Sequence, residues 1–137
     1  MSGMMLMYVI TLGSYFNYAL KHEIFSSFKD YSLFRKNTRA VINHSIVMIG
    51  QAVFSIFSLI INYNMGRFQL IIAVLIPIIM LVFHMLTGFG KVENLVNSAE
   101  KLKKETINKY LMWNIPLHIL YASLYMISAI LLLTLFK

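Results

Sequence analysis

The sequence of 137 residues contains no cysteine. Disulfide bonds, thiolate metal sites, iron–sulfur clusters and cysteine nucleophiles are therefore excluded. Charged residues are also scarce, at 12% of the chain against 59% hydrophobic residues. With a mean hydropathy of +0.73, this composition is too apolar for an ordinary soluble domain and predicts an integral membrane protein.

Charge is absent from four long stretches. Asp, Glu, Lys and Arg do not occur in residues 1–20, 40–63, 70–88 and 111–136. Each stretch is near the roughly 20 residues that a helix needs to cross a bilayer, so we predict an all-α domain over residues 1–137 with four transmembrane helices. Too little chain remains for a soluble catalytic domain. Because the first charge, Lys21, follows the first stretch, we expect that stretch to be retained and not cleaved as a signal peptide.

The basic residues are concentrated in two connections. Residues 21–39 and 89–110 each contain five Lys or Arg, whereas residues 64–69 and the C-terminal tail contain one each. The positive-inside rule then predicts that both long loops face the cytoplasm and both termini face outward. The chain forms two out–in–out hairpins joined by a tight outer turn, and a bacterial inner membrane is the expected location.

Both basic loops show helical periodicity. One apolar face of the second loop consists of Val92, Leu95, Val96, Ala99 and Leu102. In the first loop, Ile24, Phe25 and Phe28 continue an apolar face from the first stretch. This pattern predicts amphipathic helices on the membrane surface, with the basic side chains toward anionic lipid; plain solvated turns are the alternative. Nucleic acid is not an expected partner, because basic loops are the usual topology signal of a multi-pass protein.

Polar residues inside the four stretches recur at helical spacing and predict one polar face on each helix. On the second stretch these residues include Gln51, Ser55 and Ser58; on the fourth, Asn114, His118, Tyr121 and Tyr125; and on the first, Thr11, Ser14, Tyr15, Tyr18 and His22. The third stretch is nearly bare of polar residues, with Met80, His84 and Thr87 on one side. We expect these faces to turn inward in a four-helix bundle and to form interhelical hydrogen bonds. Ion-coupled transport is disfavoured, because no charged residue lies within a stretch.

The four histidines all fall in the predicted cytoplasmic half of the membrane. Two imidazoles at matching depth can ligate haem b, so His44 and His84 are the candidate ligands, with His118 a weaker candidate. A divalent metal held by the same three histidines would lack an intramembrane carboxylate to complete the site. The alternative is that each histidine makes a packing hydrogen bond.

The outward termini and basic inner loops resemble small four-helix membrane families linked to haem or copper, notably the copper-resistance D and HemJ-type proteins. The likeness is one of architecture. The HemJ-type pattern has an aromatic–His pair early in the first helix, where this sequence has Tyr15-Phe16 and no histidine before His22. No functional residue is transferred from these families.

Sequence motifs give no support to catalysis. The five carboxylates all lie in the basic loops, and the sequence has no HExxH, glycine-rich phosphate loop or serine–histidine–aspartate set. The sequence therefore predicts an accessory or assembly subunit of a larger membrane complex, with other membrane subunits or a second copy as partners. The alternatives are a haem b cytochrome or haem-handling protein, and a self-oligomerising protein of holin or immunity type.

Overall fold

All regular elements that the structure describes are helical. The computed structural model describes residues 1–98 and 102–136; 90% of the chain is helical, and the described residues contain no strand. The α-helices are α1 (Ser2–Tyr8), α2 (Ser14–Lys21), α3 (Ser26–Asn37), α4 (Ala40–Ile61), α5 (Tyr63–Leu86), α6 (Phe89–Ser98) and α7 (Lys104–Leu133). A π-helical segment, Val9–Gly13, joins α1 to α2, and a 3₁₀ turn, Thr134–Phe136, follows α7. The predicted all-α class is confirmed.

The junction between α4 and α5 is shorter than the sequence predicted. Residues 64–69, expected to form the outer turn, belong to α5, and the helical path is interrupted at Asn62. Asn62 has φ −107° and ψ 23°, and its Nδ2 donates to the Ser58 carbonyl oxygen at 3.1 Å. The Asn62 backbone N–H donates to the same carbonyl oxygen at 3.0 Å, so both groups of Asn62 hold the last turn of α4. Residues 64–69 contain no proline, so nothing in them prevents α5 from starting early.

Two described helices are long and apolar enough to cross a membrane, namely Phe68–Leu86 and Lys104–Leu133. Ile49–Ile61, within α4, is a shorter apolar stretch. The first predicted span is divided by the π-helical segment into α1 and α2, which have 7 and 8 residues. Membrane-spanning length is thus found for two helices, and four spans remain a prediction.

Helix α7 is the centre of the packing. It contacts α1, α2, α5 and α6, while α4 contacts α5 and α3. Helix α5 runs antiparallel to α7, because Gln69 lies near Thr134 and Met80 lies near Tyr121. Among α4 residues with described side chains, none is fully buried. The arrangement is therefore an assembly around α7 with α4 at its edge.

The first helix, by which we mean α1, the π-helical segment and α2 together, turns a different face toward the core from the one that the sequence predicted. Thr11, Ser14, Tyr15, Tyr18 and His22 are exposed. The buried face consists of Met5, Gly13, Phe16, Ala19 and Leu20. Ser14, Tyr15 and Tyr18 do share one face of α2, as their spacing predicts, but that face points away from the core. Small residues at Gly13 and Ala19 also permit close helix packing.

The two basic loops fold onto the helices and onto each other. Helix α3 packs against α6, and α6 packs against α7. Phe28 is 2% exposed, with its ring centroid 4.9 Å from that of Phe16 and 6.4 Å from that of Tyr110. Val92 and Val96 are buried, whereas Leu95, predicted on the same face, is exposed. Ala99, predicted to extend that face, lies outside the described residues. The amphipathic faces therefore meet protein, and α3 lies against α2 and α6.

Candidate functional site

The side chain of Asn114 holds α7 to the first helix. Asn114 is 0% exposed, and its Nδ2 donates to the Gly13 carbonyl oxygen at 3.1 Å and to Asn17 Oδ1 at 2.9 Å. Its Oδ1 accepts a hydrogen bond from the Tyr8 hydroxyl at 2.9 Å. Both amide donors are therefore used, and such a satisfied network fixes how two helices align. We call Asn114, Tyr8, Gly13 and Asn17 the Asn114 network.

Gly13 allows the π-helical segment to approach α7. A Cβ atom at position 13 would lie 2.8 Å from Cε1 of Tyr8 and 3.1 Å from Cδ1 of Ile115. The Ser14 hydroxyl donates to the Val9 carbonyl oxygen at 2.6 Å, which satisfies an acceptor of the π turn. The absence of a side chain at Gly13 thus lets its carbonyl oxygen come within hydrogen-bond distance of Asn114. A larger residue at this position would hold the two helices apart.

The change Gly13→Ala should destabilise the protein by about 1–3 kcal/mol, because the new methyl group overpacks against a Tyr8 ring that is fixed by Asn114. Gly50→Ala in α4 is the matched control, since a Cβ there meets nothing within 4 Å. This control should gain about 0.5–1 kcal/mol from the better helix propensity of alanine. Thermal unfolding followed by circular dichroism measures both, and a shift in the same direction for the two variants would contradict this packing.

His118 is held by its own helix and by aromatic rings. Its Nδ1 lies 2.6 Å from the Asn114 carbonyl oxygen, and its ring stacks on Tyr8 with centroids 4.1 Å apart. Phe89 and Tyr121 contact the imidazole edge-on, at centroid distances of 6.4 and 6.0 Å. The arrangement fixes the orientation of the ring within the core.

His84 packs against the first turn of α6. A Cβ atom on Gly90 would lie 2.7 Å from His84 Nε2, so the imidazole rests directly on the Gly90 backbone. The centroid of the His84 ring is 5.7 Å from that of Phe89, which is 1% exposed and also contacts His118. Phe89 therefore occupies the space on one side of both imidazoles.

These contacts bear on the haem and metal hypotheses. A bis-histidine haem site needs two imidazole nitrogens facing a planar cofactor. The side chain of His44 lies outside the described part of the structure, so its pairing with His84 stays a prediction. Within the described residues, no three His, Asp or Glu side chains form a group that could hold a metal ion.

The predicted polar stripes of α4 and α7 lie on the inner faces of these helices. Gln51, Ser55 and Ser58 are half-buried, while Asn114, Tyr121 and Tyr125 are buried. The Tyr121 hydroxyl donates to the Met80 carbonyl oxygen at 3.4 Å, and the Ser55 hydroxyl donates to the Gln51 carbonyl oxygen at 2.9 Å. The structure brings Gln51 and Tyr125 together, although the Gln51 Oε1 and Tyr125 hydroxyl lack a partner in hydrogen-bond geometry.

A cavity of about 340 Å³ opens beside His118, between α1, α3 and the start of α4. Met4, Met5 and Leu12 form its apolar wall, and Tyr31, Arg35 and Glu93 are among its polar residues. Arg35 Nη1 lies 3.7 Å from Glu93 Oε1, and this ion pair joins α3 to α6. Burial raises the pKa of Tyr31, an effect that nearby Arg35 partly offsets, so the phenol is neutral at physiological pH.

Three features of this region were absent from the sequence interpretation: Tyr8, Asn17 and the Arg35–Glu93 ion pair. Tyr8 and Asn17 are nine residues apart, so in a regular α-helix their side chains would point in opposite directions. The π turn between them brings both side chains to the same side. The one sequence feature that could have indicated a role for Asn17 is its position as a polar residue within an apolar stretch. The Arg35–Glu93 pair joins residues from two separate loops, so neither local spacing nor periodicity indicates it.

Comparison of the chain with protein-family models, with curated proteins and with solved structures finds no match.

Proposed function

We propose that this chain is a non-catalytic, multi-pass membrane protein with four transmembrane helices, acting as an accessory or assembly subunit of a larger membrane complex. One observation carries the proposal: the outward faces of α4 and α5 are almost wholly apolar, while the basic residues Lys29, Arg35 and Lys36 lie on α3, a separate helix that packs against α6. We expect this division in a protein whose apolar helices lie in the bilayer and whose basic segments face the cytoplasm.

The exposed apolar surface is the first line of support. Phe54, Ile61 and Leu86 are 75%, 77% and 79% exposed, and many neighbours on α4 and α5 are similar. Contiguous apolar patches of this kind mark a membrane or protein interaction surface. We assign the surface to lipid and to partner helices together.

The polar interior is the second line of support. Asn114 uses its side-chain donors and acceptor within the network, and Arg35 is paired with Glu93. Polar groups engaged in this way hold helices in place, which favours a structural role over chemistry performed by the same side chains.

Purification from native membranes in mild detergent tests the proposed role. We expect a partner protein at fixed stoichiometry, identified by mass spectrometry, and a complex larger than the monomer on a native gel. A homo-oligomer without other proteins would instead support the holin or immunity type. An absorption spectrum with a Soret band, lost in His44→Ala or His84→Ala, would overturn the proposal in favour of a haem protein.

Single-cysteine labelling tests the four-span topology, since the natural sequence has no cysteine background. We expect Lys29→Cys and Lys103→Cys to react with a membrane-impermeant maleimide only after the cells are opened. Asn64→Cys, at the exposed start of α5, should react in intact cells. If all three positions have the same accessibility, the two-hairpin topology is wrong.

A further inference from the structure

We propose that this protein contains a specific site for one anionic phospholipid, with the headgroup phosphate in a cleft between α3 and α6 and an acyl chain beside α4. This inference rests on the proposed membrane placement and adds a defined ligand class to it. Three adjoining cavities carry it.

The headgroup cleft has a volume of about 510 Å³. Arg35, Lys36 and Arg39 line one side, and Asn94 and Asn97 of α6 line the other. Guanidinium, ammonium and carboxamide groups are hydrogen-bond donors to phosphate oxygens. A concave site with several cations and amides matches a phosphodiester headgroup better than a flat basic surface would.

The net charge of the cleft comes from Lys36 and Arg39. Arg35 is partly neutralised by Glu93, at 3.7 Å, and serves to tie α3 to α6. Lys36 and Arg39 are both exposed. Arg39 adopts a left-handed backbone conformation, φ 54°, at the turn that leads into α4. That turn places its side chain among the cleft-lining residues.

An apolar crevice continues from the cleft. Arg35 lines both the headgroup cleft and the 340 Å³ cavity beside His118. Met4 and Ala40 line that cavity and also a third cavity of about 430 Å³, which includes Phe34 and Val47. The crevice runs between α1, α3 and the first half of α4. An acyl chain fits this geometry, because the path is mainly apolar and begins where the phosphate would lie.

Lipid titration of the purified protein in mild detergent, followed by native mass spectrometry, tests the site. We expect saturable binding of one phosphatidylglycerol molecule and much weaker binding of phosphatidylcholine. Each Lys or Arg near an anionic surface contributes about fivefold in affinity, so Lys36→Gln with Arg39→Gln should weaken binding about 25-fold. Arg35 is left unchanged so that the ion pair to Glu93 persists.

Lys103→Gln with Lys104→Gln is the matched control, since it removes the same charge from two exposed positions that do not line the cleft. This control should change affinity less than about threefold. Equal weakening by both double variants would show diffuse electrostatic attraction and overturn the proposal. Full displacement of lipid by inorganic phosphate would also overturn it, because the site would then recognise free phosphate.

A charge-neutral variant tests the crevice. Ala40→Leu adds volume where the second and third cavities share a wall, and it should reduce phosphatidylglycerol binding while the helical circular dichroism is unchanged. Unaltered binding in this variant would remove the acyl-chain part of the proposal. Protein that enters neither membranes nor micelles would contradict the membrane placement itself, whereas micellar protein without a preference for anionic lipid contradicts only the lipid site.

Discussion

Replacing Asn114 with leucine should lower the free energy of unfolding by about 3 kcal/mol, because a buried donor or acceptor left without a partner costs about 1–3 kcal/mol. The change keeps a similar side-chain size but removes three hydrogen bonds, leaving the Gly13 carbonyl, the Asn17 amide and the Tyr8 hydroxyl without Asn114. Unfolding in mixed detergent micelles, followed by circular dichroism, measures the loss.

Two further variants give this prediction a graded control. Asn108→Leu makes the same change at an exposed position on α7 and should alter stability by less than about 0.5 kcal/mol. Tyr8→Phe removes one hydroxyl from the Asn114 network and should cost about 1 kcal/mol. If Asn114→Leu were no more destabilising than Asn108→Leu, the network would not be holding α7 to the first helix.

Truncating Phe28 to alanine should cost about 3–5 kcal/mol, the range for removing a buried aromatic side chain. Phe28 is 2% exposed and packs against the ring of Phe16, which also contacts Tyr31. Removing the Phe28 ring therefore leaves a cavity beneath α3. The measurement is the same unfolding experiment, combined with limited proteolysis of residues 21–39. We expect proteolysis in this loop to accelerate as α3 loosens.

Phe34→Ala is the matched control for Phe28→Ala. Phe34 lies on the same helix but is 54% exposed, so its truncation should cost less than about 1 kcal/mol. If α3 were held only by a lipid surface, the exposed aromatic residue would matter as much as the buried one. Equal effects of the two variants would therefore contradict the packing of α3 on the helical core.

The inner faces of α4 and α7 could be predicted from the sequence because helix periodicity is a local property. Gln51, Ser55 and Ser58 recur at steps of three and four, and they occupy the half-buried face of α4. Tyr121 and Tyr125 are likewise on the buried face of α7. Within an uninterrupted helix, spacing alone is enough to place side chains on a common face.

The same reasoning failed for the first helix because polarity was taken as the guide to its inner face. Tyr15 and Tyr18, predicted inside, are exposed, and Phe16 and Ala19 are buried in their place. The exposed hydroxyl of Thr11 donates to the Met7 carbonyl oxygen on its own helix. A polar residue that is satisfied locally in this way does not need an interhelical partner, so polarity alone was a poor guide to its direction.

The sequence by itself determined the all-helical class, the apolar character of the long helices and the concentration of basic charge in two loops, because composition and local spacing set these properties. Only the tertiary structure decided that α3 packs on α6, that Arg35 meets Glu93 and that Asn114 joins α7 to the first helix. Residues 13 and 114, like residues 35 and 93, are far apart along the chain. Their meeting depends on how whole helices pack, which no short-range pattern specifies.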